Sequence, residues 1–591
     1  MRSETFERRD SIMHKAGVAV VTGALLISMT PLPALAEGSS SSSGSSTATS
    51  QPTGEPPSGG GSAPGDAGGS MPGGGAGGAD TMTYDYTGTL SGTLTADGDS
   101  QEATDQTIAA TDADVNAALA ENGGALALSG VTLEKSGDDT NGDNCNFYGV
   151  NSVLLATGDG STAKVENSKL NATSEGSNAI FATDGATVYA NGDTITTSAG
   201  NSRGLDATYD GTIIANEMGI STQGDHSASI ATDRGGGNIS VTNSTLSTAG
   251  SGSPLLYSTG DIEVSGVTGT ATGSQIAGME GLNTVLINNS TLSSTITEKT
   301  ASDPIANAVI IYQSTSGDAE STTGEAATFQ AVGSKLSSAI QSGSFFYVTN
   351  TTANILLQGT TLDYDSPAAN LIQVEGNDSN NWGTAGSNGG TATLTLAGEN
   401  VTGNVSVDTI SSLALYLTGN STWTGAASIT ENANGSTSDS PITVNVDDGS
   451  TWVVTADSTV SALNVASGGS VVDESGKTVT IVANGQTVVQ GDSSLTVTVT
   501  GSYSTTYDGS GASTVSPDLI DRSAFDAEYG TSTTFAMGDS TSASASDVAQ
   551  ASTAPSSSAE ATASTNDATS ASTGNVFLDI WNAIVDFFTG R

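Results

Sequence analysis

The chain has 591 residues and carries 62 Asp and Glu against 14 Lys and Arg, a formal net charge of −48. Phosphate recognition relies on Lys and Arg, so this balance argues against nucleic acid as a partner and, for the same reason, against an anionic membrane surface; it suits a chain kept soluble outside a cell and able to attract divalent cations. The one cysteine, Cys145, excludes an intramolecular disulfide, so a long continuous core or a backbone ladder has to do that work.

Residues 1–36 read as a secretory signal. Arg2, Arg8, Arg9 and Lys15 form a basic start, Ala16–Ile27 is a short apolar run, and Ala34-Leu35-Ala36 supplies a small-x-small cleavage pattern. Export follows as the expected localisation, with no membrane span in the mature chain. Residues 37–80 are almost wholly Ser, Gly, Pro, Ala and Thr. Such a segment buries too little apolar surface to offset its ordering entropy and is expected to be a flexible tether.

The centre of the chain repeats itself. NAALAENGGALALSGVTL (116–133) aligns without a gap on NAIFATDGATVYANGDTI (178–195), with Asn116 under Asn178, Leu126 under Val188 and Leu133 under Ile195. The same form returns in AKVENSKL (163–170), TIIANEMGI (212–220), ISVTNSTL (239–246), VLINNSTL (285–292), FQAVGSKL (329–336) and ILLQGTTL (355–362). Alternation of apolar and polar residues is the strand period, and Asn, Gly and other small residues punctuate the runs as turns. A unit this short cannot bury its own apolar face, so copies must stack. The pattern predicts an all-β solenoid, a parallel β-helix, over residues 81–470. Leu154, Ile180, Phe181, Val188, Ile195, Ile213 and Leu246 would line its interior, and the corner Asn would stack as a ladder.

Residues 471–537 are expected to form the last coils and a cap, with the aromatic and charged stretch 515–535 folded over the open end, which would otherwise expose core and strand edges. Residues 538–573 are a second Ser/Ala/Thr linker. In 574–591, Phe577, Trp581, Ile584 and Phe588 fall on one helical face, as in a short amphipathic helix that docks on its own protein or on a partner.

The runs NFYGVNSVLLATGDGSTAKVENSKL (146–170), RGLDATYDGTI (203–213), ATDRGGG (231–237), SPLLYSTGDIEVSG (253–266), IIYQSTSGDAE (310–320) and NNWGTAGSNGG (380–390) resemble secreted gut-bacterial adhesin-like proteins. The resemblance covers about residues 84–535 and implies a pectin-lyase-like, right-handed parallel β-helix at the cell surface. That fold serves both polysaccharide lyases and hydrolases and non-enzymatic adhesins, so the fold alone leaves the choice open.

Candidate sites follow from the residue types. Arg203, Asp206, Asp210, Asp233 and Arg234, with His226 nearby in sequence, come from neighbouring predicted coils; converged around a groove they would serve a glycosidic acid pair or a lyase, and otherwise they are turn acids with paired arginines. Asp159, Asp184, Asp210, Asp233 and Asp261 recur after the same apolar patch, and stacked as a column they would call for calcium; separately they are ordinary turn residues. Trp423 and Trp452 occupy matching places in late repeats, either as a sugar platform outside or as filling inside. Trp382, flanked by Asn380 and Asn381 in a Gly-rich insertion, is a loop candidate for recognition. The favoured reading is a glycan- or surface-protein-binding adhesin; a β-helix lyase or hydrolase is the alternative, and a structural spacer the third. No cofactor is called for, apart from calcium on that acidic column.

Overall fold

The computed structural model describes residues 83–314, 319, 326–379 and 382–538. The stretches read as a signal (1–36) and a tether (37–80), Asn380 and Asn381, nearly all of the 538–573 stretch and the stretch 574–591 lie outside the described residues.

The described chain is a parallel β-helix. Three strands per coil build three long sheets. Sheet I has thirteen strands, from Gly92–Asp97 to Ala427–Thr430, which at about 4.8 Å per rung makes a rod of roughly 60 Å. Sheet II begins at Ser100–Thr104 and runs through Thr496–Ser504 and Thr480–Ala483 to Gln486–Val489, and sheet III holds ten strands from Thr107–Ala110 to Thr361–Asp363. A four-stranded sheet, Asn400–Thr402 to Ser470–Asp473, takes the place of sheet III in the late coils. At the far end Thr480–Ala483 and Gln486–Val489 form an antiparallel hairpin, the one departure from parallel pairing among the named strands.

Register explains why the sequence repeats. Leu119 pairs with Leu155 and Leu155 with Phe181 in sheet I. Leu126 pairs with Ala163 and then Val188 in sheet II, and Leu133 with Leu170 and then Ile195 in sheet III. The two aligned stretches are therefore two coils apart, with one coil between them. That coil carries an insertion containing helix α1 (Gly142–Tyr148), capped by the Asn141 side chain and ended by Gly149 in the left-handed conformation. A Cβ on Gly149 would fall 2.6 Å from Leu155 and 2.7 Å from Phe181, so this corner accepts no other residue without a shift.

The interior is a stack of aliphatic columns. Ala118, Leu154, Ile180, Leu205, Ile230 and Leu256 succeed one another in sheet I, and all are fully buried. Phe181 is the exception to the expected interior set. It lies in the next, outward-facing column with Leu119 and Leu155, and is buried because Leu90 and the corner at Gly149 pack against that column.

The corner between sheets II and III shows what the small residues do. Ser168, Ser244, Ser290, Ser334, Thr360, Ser421 and Ser450 each accept a backbone N–H from the preceding coil, at 2.9–3.4 Å. The residue before each is Asn or Gly, held left-handed in most cases, as at Asn167 (φ 51), Asn243 (φ 52) and Gly333 (φ 60). Asn and Gly therefore recur mainly because the turn needs positive φ. Among the described residues the amide ladder is limited to a short run, where Asn216 donates to Asn191 and Asn243 to Asn216, each at 2.9 Å, and to one late step, where Asn464 donates to Asn445 at 2.8 Å.

Asp193 substitutes for serine in this column, accepting the Ser168 N–H at 2.8 Å, and burial pushes its carboxyl up to about 7. Burial does the same to Asp303 and to Glu263, each raised to about 7. In all three the folded chain holds a proton that the unfolded chain releases. Their contribution is fully present below the ordinary carboxylate range and is lost as pH rises to about 7. The slope is about 1.4 kcal/mol per pH unit for each carboxyl in that window. Thermal melts are expected to show Tm falling from about pH 5 to about pH 7. A Tm that is flat or rising across that interval would contradict the assignment.

Candidate functional site

The outward faces of the three sheets differ in what covers them. Sheet I is covered twice. Near the start, the α1 insertion lies over it, with Thr208 Oγ1 donating to the Phe147 carbonyl at 2.8 Å and Asn178 Nδ2 to that of Cys145 at 3.1 Å. Residues 83–90 add to this cover through Tyr84 and Tyr86, which meet Tyr148 at centroid distances of 5.4 and 5.0 Å, while Tyr148 stacks on Tyr209 at 5.8 Å. Farther along, residues 377–379 and 382–388 fold down, held by Asn388 Nδ2 donating to the carbonyls of Asn377 and Trp382.

Beneath the first cover lies the predicted charged group, in part. Arg203 donates from Nη1 to Asp206 and from Nη2 to Asp233 of the next coil, both at 2.7 Å. Asp206 is 0 % exposed, Asp233 6 % and Arg203 8 %. Burial works against the guanidinium charge, but the two carboxylates outweigh it and hold Arg203 protonated. One cation between two acids leaves burial dominant at Asp206, whose carboxyl rises to about 7 against the pull of Arg203. Asp210 stays outside, exposed on its turn at φ 61. The Arg234 guanidinium lies over the Phe147 ring, 3.7 Å from its centroid. His226 stands at a corner beside Gly252 in a left-handed conformation. Three of the five catalytic candidates therefore meet, but as a closed ion triad under a helix. A glycosidic acid pair has to reach a sugar, and Asp206 has no solvent path to one.

The calcium column is not formed. Asp159 and Asp184 are neighbours, with burial first and Asp159 second raising Asp184. Asp233 turns inward to Arg203, Asp210 is exposed on its turn, and Asp261 is the first residue of the strand Asp261–Ser265, paired with Asn238 and out of line with the turn acids. Among the described residues no group of three or more His, Cys, Asp or Glu is gathered to hold a metal.

The tryptophans are also placed inside. Trp423 and Trp452 are fully buried, stacked at 4.8 Å and 14°, and each Nε1 donates to a carbonyl, of Gly403 at 2.8 Å and of Gly425 at 2.9 Å. A sugar platform is excluded because both ring faces are used in the core. Trp382 is 7 % exposed and stacks on Tyr312 at 4.4 Å, with Ile310 and Tyr347 around it. It pins its own loop to sheet I and offers no open face.

Sheet II is covered by a strap. From Tyr507 the chain runs back along its outward column: Ser513 N–H donates to Thr395 Oγ1, Ser516 N–H to Gln330 and Ile520 N–H to Glu263. Arg522 follows, 1 % exposed, donating to the Ser240 and Ala215 carbonyls and to the hydroxyls of Ser240, Thr242 and Thr533. Helix α2 (Ser523–Tyr529) then sets Phe525 against Tyr189 at 6.0 Å. The return leg reaches Gly538, whose N–H donates to Asn288 at 3.0 Å. The stretch 515–535 thus folds over the flank of the helix and not over its open end.

Among the described residues sheet III has no such cover, and its outward face is open. One column reads Thr132, Lys169, Thr194, Gly219, Thr245, Thr268, Thr291, Lys335 and Thr361 in register. Thr194, Thr245, Thr268, Thr291 and Thr361 are exposed. Beside it runs a second column, Thr196, Ser221, Ser247, Thr270, Ser293 and Ser337. The second column is partly committed: Thr270 and Ser293 share a hydrogen bond at 2.9 Å, and Ser293 also donates to the Gly269 carbonyl. The hydroxyls of Thr194, Thr245, Thr268 and Thr291 make no hydrogen bond to another described residue. The sequence carried a signal for this face: the Thr-x-Thr or Thr-x-Ser triplets 194–196, 245–247, 268–270 and 291–293 each close a repeat. Read only as small turn residues, they pass unnoticed; read as β-branched residues on the polar phase of a strand, they mark a solvent face. No protein-family model matches the chain, and neither a curated protein nor a solved structure matches it.

Proposed function

We propose that the chain is an exported, non-enzymatic adhesin-like protein of the pectin-lyase-like type, which binds glycans through the flank of a rigid β-helix at or beyond the cell surface. The observation that carries this reading is the contrast between faces. The only converged pair of candidate catalytic acids is sealed beneath α1, whereas sheet III leaves a regular row of uncommitted hydroxyls to solvent. A preorganised array loses little conformational entropy when a ligand settles on it. Export rests on the basic, apolar and small-residue order of residues 1–36. Among the described residues no helix is long and apolar enough to cross a membrane.

The test is a glycan array probed with the mature full-length protein, with and without EDTA, alongside an assay for depolymerised product. Retention on glycans, indifferent to EDTA and without product, is the expected result. Cleavage of a polysaccharide that disappears in both Asp206→Asn and Asp233→Asn would replace this reading with the enzyme. Retention on no glycan at all would leave the structural spacer.

A further inference from the structure

We infer that the outward face of sheet III is a track for an uncharged, linear polysaccharide. This rests on the binding reading above and names the face and the ligand class. Three properties of the face carry it. The first is charge. On a chain of net charge −48, the two outward columns hold two cations, Lys169 and Lys335, and two anions, Glu134 and Asp363, so they sum to zero; Lys335 and Asp363 are moreover paired at 2.9 Å. A polyanion would meet no attracting field here and would be repelled by the rest of the rod, and a polycation would be drawn to other faces.

The second property is size. Ten rungs at about 4.8 Å and strands of about four residues give a strip of roughly 45 by 13 Å, or about 600 Å². A stable protein pair hides about 800 Å² on each partner, so the strip is narrow for a folded partner or for a second copy of the chain. It is long enough for an extended chain lying along the helix axis. The third is chemistry. Six of the nine rungs named above are threonine, each offering a hydroxyl, both donor and acceptor, next to a methyl group; Thr245, Thr268 and Thr291 are consecutive, Gly219 separates them from Thr194, and these four hydroxyls have no described partner to surrender. A ligand built from repeated hydroxyls and C–H faces can use the same contact on successive rungs, and gains from every rung it spans.

The test measures binding of the full-length protein to neutral linear glucans, mannans and xylans, with polygalacturonate and an immobilised protein as comparison probes. The isosteric variant T194V/T245V/T268V/T291V keeps strand propensity and shape while removing the hydroxyls. It is expected to weaken the neutral polysaccharide by at least about tenfold with unchanged Tm. If that variant fails to fold, Thr268→Arg, a bulky charge at one exposed rung, is expected to have the same effect. Binding unchanged in a folded variant would overturn the track while leaving an adhesin that binds elsewhere. Preference for polygalacturonate or for protein would overturn the ligand class. Binding to none of the probes would remove the adhesin reading along with it.

Discussion

Replacing Arg522 with methionine is expected to release the C-terminal strap while leaving the coils beneath it folded. All five N–H groups of this guanidinium are spent on acceptors of sheet II and of Thr533. Burial lowers its pKa to about 10, against the raising influence of Asp526 and Glu263, so it enters the interface charged. Methionine fills much of the volume but leaves buried carbonyls and hydroxyls unpaired, a loss of about 3–5 kcal/mol. Burial alone would raise Asp526; hydrogen bonds from Thr531, Thr533 and Thr534 outweigh it and hold the carboxyl well below its usual range, fixing the turn that follows α2. Hydrogen exchange over 505–538 should rise steeply, and limited proteolysis should cut there first, with the coils around Val188 still protected. By contrast Lys164→Ala, which removes a half-exposed ion pair with Glu528, should cost less than about 1 kcal/mol. Equal protection in wild type and Arg522→Met would show that the apolar contacts of Phe525 and Met537 hold the strap by themselves.

The second large effect is expected at the late coils. Trp423 and Trp452 fill one column between Val401 and Val471. Truncating either to alanine should cost about 3–5 kcal/mol, because the cavity sits in a rigid sheet that cannot collapse around it. The indoles touch, so the two losses should not add: the second truncation is expected to cost less than the first by about 0.5–3 kcal/mol. In a solenoid each coil leans on its neighbours, so the damage should remain near the end of the rod. Protection beyond about residue 400 is expected to fall while the early coils keep theirs, and glycan binding on sheet III should survive. Loss of binding in a Trp423→Ala protein whose late coils stay protected would mean that the ring works outside the core.

The solenoid was legible in the sequence because its cause is local. Alternation, Gly and Asn at left-handed corners, and an exact offset between 116–133 and 178–195 all act within one coil or between neighbours. What escaped depends on distant segments. Phe181 and Asp206 share the outward column of sheet I, and nothing nearby in sequence says that α1 and residues 83–90 will bury them. Helix α1 is seven residues long, too short for a periodic signal, although Asn141 before it and Gly149 after it are recognisable caps. Arg522 reads as one more surface charge until the chain is seen to turn back over coils some 280 residues earlier in sequence. Three members of the Arg203 group, Arg203, Asp206 and Asp233, do meet, but sequence spacing could not separate them from Asp210 and Arg234 or show the lid that closes them. The tryptophan pair was correctly placed in register and could not be assigned a side, since inward and outward differ by a single residue of phase.

The strap fixes more than sheet II. The described chain enters beside Tyr148 and leaves at Gly538 on the level of Asn288, so both exits open on the flank of the rod and neither at its tip. A pull between the two exits loads the short stretch of coils lying between Tyr148 and Asn288 and the return leg that ends at Gly538. Coils past that level stand outside the path of the force.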